Sequence, residues 1–273
     1  MILANHGIVS SSGGAISYDA DAFAFMTAAS ITDNTQKTAI NTLVTDLKTY
    51  NIWTKMKALY PFVGGSAASH KFNLKDPRDL DAAYRLTFNG GWTHSSTGAL
   101  PNGTTAYANL FLTPATDVTS LSHLSYYSRV DSTNGEMFYS QDDFTSYTAQ
   151  FYISGNKTSD VFSMSNLDTS RVVNSSASTL GMYIASRTSS TSLKGYKNGS
   201  LVGTDTSISS GSLPNIPIYL GASNYRAFGG TTTIYYGNKE CAFASIGNGL
   251  TDTEASNLYT AVQNYNTTLN RNV

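Results

Sequence analysis

The sequence predicts a mainly β fold, a two-sheet antiparallel sandwich with an N-terminal helical segment and a C-terminal helix. From residue 106 onward, short Tyr- and Thr-rich runs are separated by Gly, Asn and Ser turns, the pattern of antiparallel strands. Before the stretch from Ala58 to Ala108, apolar residues recur at helical spacing instead. Near the other end, Thr251 and Glu254 form a capping box that begins a final helix. We therefore expect helical elements at both ends of the chain and strands between them.

The N-terminal part divides into an arm and a helical segment. Residues 1–17 are small and polar and lack periodicity, which predicts an extended arm. Residues 18–61 form the predicted helical segment. Within it, Tyr18 to Ala29 is expected to be a short helix, and Asp33 caps a longer second one. A third helical stretch is expected to end before Pro61.

The second helix carries an apolar stripe at i, i+3, i+4 and i+7 spacing, formed by Ile40, Leu43, Val44 and Leu47. Two short neighbouring helices would leave one side of this stripe in water. We therefore predict that the stripe docks on the sandwich or on a neighbouring subunit.

Residues 62–273 are assigned to the sandwich and its closing helix. Strand candidates recur at short intervals from Tyr107 to Gly247, and the helix is expected from Asp252 to Leu269. The clearest local signal is the pair Asn198 and Gly199, because Asn-Gly supplies the positive φ angles of a type I′ hairpin.

Composition excludes several classes of partner. Charged residues make up 13% of the chain and the net charge is −1, so no basic surface for nucleic acid is indicated. The N-terminus has no basic and apolar signal-peptide pattern, and no apolar run is long enough to span a bilayer. We expect neither nucleic-acid nor membrane partners. The single cysteine, Cys241, is expected to be a buried apolar residue.

No catalytic, cofactor-binding or metal-binding residue is predicted. Retaining glucanases with a sandwich fold carry two carboxylates on one strand face in an E-x-D-x-x-E pattern. Only Glu136, Glu240 and Glu254 are present, and none of them begins that pattern. The four histidines lack the spacings that gather two imidazoles on one face. The chain is therefore predicted not to be an enzyme.

Calcium is a weaker possibility at Asp142 and Asp143, which have Gln141 and Asn134 nearby as oxygen donors. Neighbouring strand residues point to opposite faces, so the two carboxylates make a poor chelate, and a turn is favoured. The charge run from Lys75 to Asp81 is interpreted first as an Arg–Asp network that holds a loop, and second as a loop that binds sugar or metal.

Aromatic side chains supply the candidate contact residues. The chain has 18 tyrosines, and a group of them lies in the middle strands. Tyrosine combines a large contact area with a polar tip, which suits sugar stacking and protein interfaces as well as core packing. Core and interface packing is the favoured interpretation, with a glycan platform as the alternative. The candidates for glycan or interface contacts are Trp92, Tyr126, Tyr127 and Tyr139.

Three segments in the second half of the chain resemble laminin-G and concanavalin A-like modules. They are Gly195 to Ser200, Ile218 to Ala222, and Phe243 to Glu254 with Leu258 and Tyr259. Members of that superfamily have similar residue patterns in a hairpin, then in a strand, and then in the last strand before a helix. The resemblance covers Thr105 to Asn270 and implies a jelly-roll sandwich whose edge loops often bind carbohydrate.

Three earlier segments, Phe23 to Asp33, Ile52 to Gly65 and His70 to Arg78, are similar to virion-associated proteins of tailed bacteriophages, including crAss-like phages of Bacteroidetes. This resemblance covers residues 18–110. It implies a virion protein and offers no catalytic motif to carry over.

These observations favour a non-enzymatic virion structural protein, a fibre, tail or capsid-associated subunit assembled in the cytoplasm of a bacterial host. Its expected partners are other virion proteins or copies of itself. The alternative is a carbohydrate-binding module that recognises host surface polysaccharide. A polysaccharide-cleaving enzyme is the weaker alternative.

Overall fold

The computed structural model describes residues 17–143, 149–165, 171–208 and 212–273. The predicted arm, residues 1–17, lies outside this part of the chain except for its last residue. Within the described ranges, the α-helices are α1 (Ala20–Ala28), α2 (Asn34–Thr49), α3 (Ala67–His70), α4 (Pro114–Asp117) and α5 (Asp252–Thr268). None of these helices combines the length and apolar character needed to cross a bilayer.

The strands belong to two sheets that lie face to face. In chain order they are β1 (Met56–Tyr60), β2 (Thr87–Asn89), β3 (Trp92–Ser95), β4 (Gly98–Pro101), β5 (Tyr107–Asn109), β6 (Ser122–Ser128), β7 (Glu136–Asp142), β8 (Ala149–Gly155), β9 (Ser159–Ser165), β10 (Val172–Ser175), β11 (Gly181–Ser189), β12 (Ser192–Lys197), β13 (Ser200–Asp205), β14 (Tyr219–Leu220), β15 (Tyr225–Arg226), β16 (Thr232–Thr233) and β17 (Cys241–Asn248). The predicted mainly β sandwich is confirmed.

The first sheet runs β13-β12-β11-β6-β17-β4-β3, with β1 also paired to β17. The second runs β10-β9-β8-β7-β14-β5-β2, with β15 and β16 attached beside β7. Pairing is antiparallel throughout the described strands except between β15 and β7. The sandwich core between the sheets includes Leu124, Tyr126, Phe138, Phe151 and Ile246, all fully buried.

The helices α1, α2 and α5 form a third layer, which we call the helical layer. They pack on the outer face of the first sheet, where Phe25, Leu43 and Leu258 meet Tyr127 and Phe243 in a second buried cluster. The N-terminal and C-terminal helices therefore share one core, since α2 contacts α5 directly. The molecule has three layers: helices, first sheet and second sheet.

The predicted third helix before Pro61 is wrong. One 3₁₀ turn, Trp53–Lys55, leads into β1, which pairs with β17. Met56 and Leu59 face the helical layer, while Ala58 and Tyr60 belong to the sandwich core. A strand buried on both faces has no polar alternation, so its periodicity cannot be told from that of a buried helix. The sandwich thus begins inside the segment that was predicted to be helical.

The apolar stripe of α2 lies inside the molecule. Ile40, Leu43, Val44 and Leu47 are fully buried in the cluster that joins the helical layer to the first sheet. The cap of this helix is also present, with the Asp33 carboxylate accepting a hydrogen bond from the Gln36 amide at 2.8 Å. The helical layer is therefore attached to the sandwich through apolar packing.

Leu43→Ala is expected to lower the free energy of unfolding by about 3 kcal/mol, because it removes buried contacts and leaves a cavity. The loss should be visible in thermal melting of the isolated monomer. Thr38→Ala, at an exposed position of the same helix, serves as the control and should change stability by less than about 0.5 kcal/mol. Normal melting of the Leu43 variant would show that the stripe contributes nothing to the monomer.

Three local predictions are confirmed. Asn198 (φ 49°) and Gly199 (φ 77°) have the positive φ angles of the predicted hairpin, which joins β12 to β13. The capping box of Thr251 and Glu254 begins α5. Cys241 is a free, buried cysteine.

Candidate recognition face

The outer face of the second sheet lies on the opposite side of the molecule from the helical layer. Side chains alternate along β7, so Phe138 and Ser140 point toward the sandwich core while Tyr139 and Gln141 point outward. The same alternation in β8 sends Phe151 inward and Tyr152 outward. This outer face is therefore populated by polar and aromatic side chains.

Register brings four outward tyrosines together. Tyr139 lies opposite Tyr152 across the β7–β8 pair and opposite Tyr219 across the β7–β14 pair. Tyr107, on the next strand β5, is stacked on Tyr219. We call these four side chains the tyrosine face. Tyr152 is buried (5% exposed), whereas the other three are half-buried.

The rings of the tyrosine face form two stacks. Tyr139 and Tyr152 have ring centroids 4.2 Å apart and planes 14° from parallel, and Tyr107 and Tyr219 are 4.5 Å apart at 24°. Because the stacked partners stand on neighbouring strands, the ring planes are upright on the sheet. They direct edges and hydroxyl groups outward instead of flat faces. The face is thus better suited to hydrogen bonding than to broad stacking.

Hydroxyl and amide groups of the face are connected. The Tyr139 hydroxyl donates to Gln141 Oε1 at 2.7 Å, and Gln141 Nε2 donates to the Asp143 carboxylate at 3.1 Å. Desolvation by burial, and then the neighbouring Tyr107 and Tyr236, raise the pKa of Tyr219. The Tyr219 hydroxyl therefore keeps its proton at neutral pH and remains available as a donor.

Tyr126 and Tyr127, two of the predicted contact residues, do not belong to any surface. Tyr126 is buried in the sandwich core, where its hydroxyl donates to the Lys239 carbonyl at 2.8 Å. Tyr127 is buried on the other side of β6, beneath the helical layer. β6 is a central strand of the middle layer, so both of its faces are covered. The prediction that these two residues contact a glycan or a protein partner is therefore corrected, because both lie in the core.

Trp92 closes one edge of the sandwich. Its indole is half-buried, meets Phe88 edge-on at 5.2 Å and donates from Nε1 to the Asn89 carbonyl at 3.0 Å. A Cβ atom on Gly221 would lie 2.8 Å from Trp92 Cη2, so the ring packs directly on the β14 turn. Trp92 thus links the edge of the first sheet to the second, where its Nε1 also donates to the Tyr107 carbonyl at 3.4 Å.

His70 and His94 lie beside this edge and face each other, with their Nδ1 atoms 2.9 Å apart. His70 is buried, and desolvation, then His94 and Arg271, lower its pKa to about 3. One neutral ring must therefore donate its proton to the other. In the four described ranges no group of three or more His, Cys, Asp or Glu side chains is arranged to hold a metal ion.

The carboxylates of the predicted calcium loop point apart, as the alternation of a strand requires. Asp142 is buried and accepts from Arg226 Nε at 2.9 Å and from the Asn215 amide at 3.2 Å. Asp143 lies on the outward side with Gln141. The two carboxylates do not converge on one position.

Other acidic residues have structural partners. The Arg–Asp network predicted in the charge run is confirmed, with Arg78 bound to Asp76 and Arg85 bound to both Asp79 and Asp81. Glu240 pairs with Arg129 at 2.9 Å, and Glu254 pairs with Lys55 at 2.6 Å.

Comparisons with known proteins show the fold. No protein-family model and no curated protein matches the sequence. Among solved structures, the chain is similar to botulinum neurotoxin type C, whose cell entry depends on interaction with two ganglioside molecules (TM-score 0.56, 10% identity, 79% of this chain and 53% of that chain). It is also similar to the binding domain of botulinum neurotoxin DC in complex with rat synaptotagmin II (TM-score 0.55, 11% identity, 78% and 53%).

A third similar structure is the Trypanosoma rangeli sialidase in complex with a difluorinated KDN (TM-score 0.52, 11% identity, 82% of this chain and 39% of that chain). The chain spans about half the length of the toxin chains and less of the sialidase. At these identities the likeness is one of fold, and the fold is a two-sheet jelly-roll sandwich.

Proposed function

We propose that this chain is a non-enzymatic structural protein of a bacteriophage virion, built on a lectin-like sandwich and serving as a fibre, tail or capsid-associated subunit. Its partners are other virion proteins or further copies of the chain. The support comes from the sequence resemblance of residues 18–110 to phage virion proteins, together with the place of that block in the fold. The block supplies α1, α2 and β1–β5, so it contributes to all three layers. The phage-like segment is therefore framework and not an appendage.

The surroundings of the acidic residues support a non-enzymatic role. Glycoside hydrolysis by the usual route needs two carboxyl groups that face one cleft. Glu240 forms a salt bridge with Arg129. Glu254 forms a salt bridge with Lys55 and takes part in the capping box of α5. We expect no new reducing ends when host capsule is incubated with the protein, and their appearance would contradict this part of the proposal.

The virion role is tested on particles. Mass spectrometry of gradient-purified virions should detect this polypeptide at many copies per particle. A non-structural phage protein from the same lysate provides the control for contamination. Absence of the chain from purified particles would overturn the proposal.

A second candidate function, carbohydrate binding, is favoured by the tyrosine face. Hydroxyl and amide groups there can exchange hydrogen bonds with sugar hydroxyls while the ring edges supply apolar contact. The toxin structure with a similar fold comes from a protein that interacts with gangliosides. On this proposal the face recognises polysaccharide on the surface of the bacterial host.

Glycan arrays of host polysaccharides test this candidate. Tyr219→Ala is expected to weaken binding at least about tenfold, which corresponds to 1.4 kcal/mol of lost contact. Tyr50→Ala, a half-buried tyrosine of the helical layer, should bind like the unmodified protein. If the unmodified protein bound no glycan on the array, carbohydrate binding would be excluded as a function and the structural role would be the remaining proposal.

A further inference from the structure

We infer that the tyrosine face selects an uncharged glycan and disfavours acidic ones. This inference rests on the second candidate function, carbohydrate binding, and adds the chemical class of the ligand. Three features of the described face carry it: its charge, the orientation of its rings and its lack of an apolar centre.

The charge of the face argues against an acidic ligand. The outward positions described on β5, β7, β8 and β14 carry tyrosine, glutamine, asparagine, serine and, at the start of β7, Glu136, but neither lysine nor arginine. Recognition of a sugar carboxylate or sulfate normally uses such cations, above all the planar fork of arginine. Arg226, on neighbouring β15, is bound to the buried carboxylate of Asp142 on the inner side. Lys157, which follows β8, pairs with Asp131 at 3.3 Å, so both of these neighbouring cations already have a carboxylate partner.

An acidic group beside the two ring stacks strengthens this argument. Asp143 follows β7, two residues beyond Gln141, and receives the hydrogen bond from its side-chain amide. An approaching anionic sugar would meet this carboxylate without a compensating cation, and like charges repel at short range. A neutral sugar can instead use both the amide and the carboxylate as hydrogen-bonding groups.

Ring orientation favours a glycan over a protein partner. Tyr139 lies directly opposite Tyr219, yet each ring stacks away from the other, on Tyr152 and Tyr107 respectively. Each stack covers one face of each of its two rings and leaves the hydroxyl groups of the half-buried Tyr107, Tyr139 and Tyr219 on the outer side of the sheet. Protein interfaces depend on an apolar centre that excludes water, and the hydrogen-bonded hydroxyl, amide and carboxylate groups beside these rings interrupt such a centre. Sugar hydroxyls match such a surface.

Binding of matched oligosaccharides tests the inference. Calorimetric titration should show that a neutral host oligosaccharide binds at least about tenfold more tightly than a uronate-bearing one of the same length. Gln141→Lys places a cation on the face and should improve binding of the acidic oligosaccharide at least about fivefold, by charge-assisted hydrogen bonding. Thr204→Lys, at an exposed position of β13 in the first sheet, adds the same charge elsewhere and should leave both affinities unchanged.

The possible outcomes separate the two proposals. Equal or tighter binding of the acidic oligosaccharide by the unmodified chain would overturn the inference and leave carbohydrate binding standing. Neutral preference that Gln141→Lys does not alter would show that the ligand binds away from this face, which also overturns the inference. Failure of both oligosaccharides to bind would overturn the inference together with the candidate function on which it rests.

Discussion

Arg271→Ala is expected to lower the free energy of unfolding by about 5 kcal/mol, a large part of the stability of a typical domain. The guanidinium is fully buried although it lies near the C-terminus. It donates to the carbonyls of Pro61, Phe62 and Ala242 at 2.7 to 2.8 Å. It also donates to the Asn266 side-chain oxygen at 2.8 Å. The alanine variant would leave several buried acceptors without donors.

The position of Arg271 explains the size of the expected effect. Its guanidinium joins the end of α5 to the segment after β1 and to β17, so one side chain ties the helical layer to the first sheet. The ring of Tyr265 lies 5.0 Å away. Desolvation by burial lowers the pKa of Arg271. Removal of the side chain therefore disturbs three elements at once.

Urea unfolding measures the effect of Arg271→Ala. Arg78→Ala is the matched control, because the Arg78 side chain is 64% exposed and binds Asp76 at the surface. That surface pair should be worth less than about 1 kcal/mol. If the Arg271 variant were as stable as the Arg78 variant, the guanidinium could not be the tie between the layers that its hydrogen bonds indicate.

Much of the fold follows from local patterns in the sequence. The alternation in Glu136–Asp142, the Asn198–Gly199 turn and the Thr251 capping box each specify their own structure. β1 could not be predicted in this way because both of its faces are buried. The short strands β3 and β4 were also missed, since the Gly90–Gly91 and Pro101 turn signals surround them closely.

The candidate site was only partly predictable. The sequence placed Tyr139 among the contact candidates, but it grouped this residue with Tyr126, which lies in the other sheet and faces the core. The tyrosine face depends on the pairing of Tyr139 with Tyr219, which lies 80 residues further along the chain. Register between strands so distant in sequence is set by tertiary packing. The one local signal was the alternation of Tyr139 and Tyr152 with inward residues.

Acid is expected to destabilise the protein between pH 6.5 and 4.5. Desolvation by burial lowers the pKa of His123 to about 4. That of His70 is lowered to about 3, by desolvation first and then by His94 and Arg271. In the unfolded chain a histidine takes up a proton near pH 6.5. The unfolded state therefore binds more protons than the folded state in this window, and stability falls as pH falls.

The expected loss is about 1.4 kcal/mol per pH unit for each of these two histidines, or about 5 kcal/mol in all at pH 4.5. Burial also lowers the pKa of His94, which adds to the slope. Paired carboxylates such as Asp76 and Asp252 have lowered pKa values, with a hydrogen bond from Arg78 and from Lys194 as the respective main causes. Their contribution is lost only at lower pH, so histidines govern this window.

Urea unfolding at pH 7.5, 6.0 and 5.0 measures the slope, and two variants assign it. His123→Gln keeps a hydrogen-bonding group near Ser245, and His70→Asn keeps one near His94. Each variant should reduce the slope of the unfolding free energy against pH by about 1.4 kcal/mol per pH unit, which corresponds to one bound proton. This holds even if the stability of the variant at pH 7.5 is lower. Of the three histidines in the described ranges, the double variant should keep the contribution of His94. A stability that stays level from pH 7.5 to 5.0 in the unmodified protein would show that these histidines accept protons in the folded state, contrary to their burial.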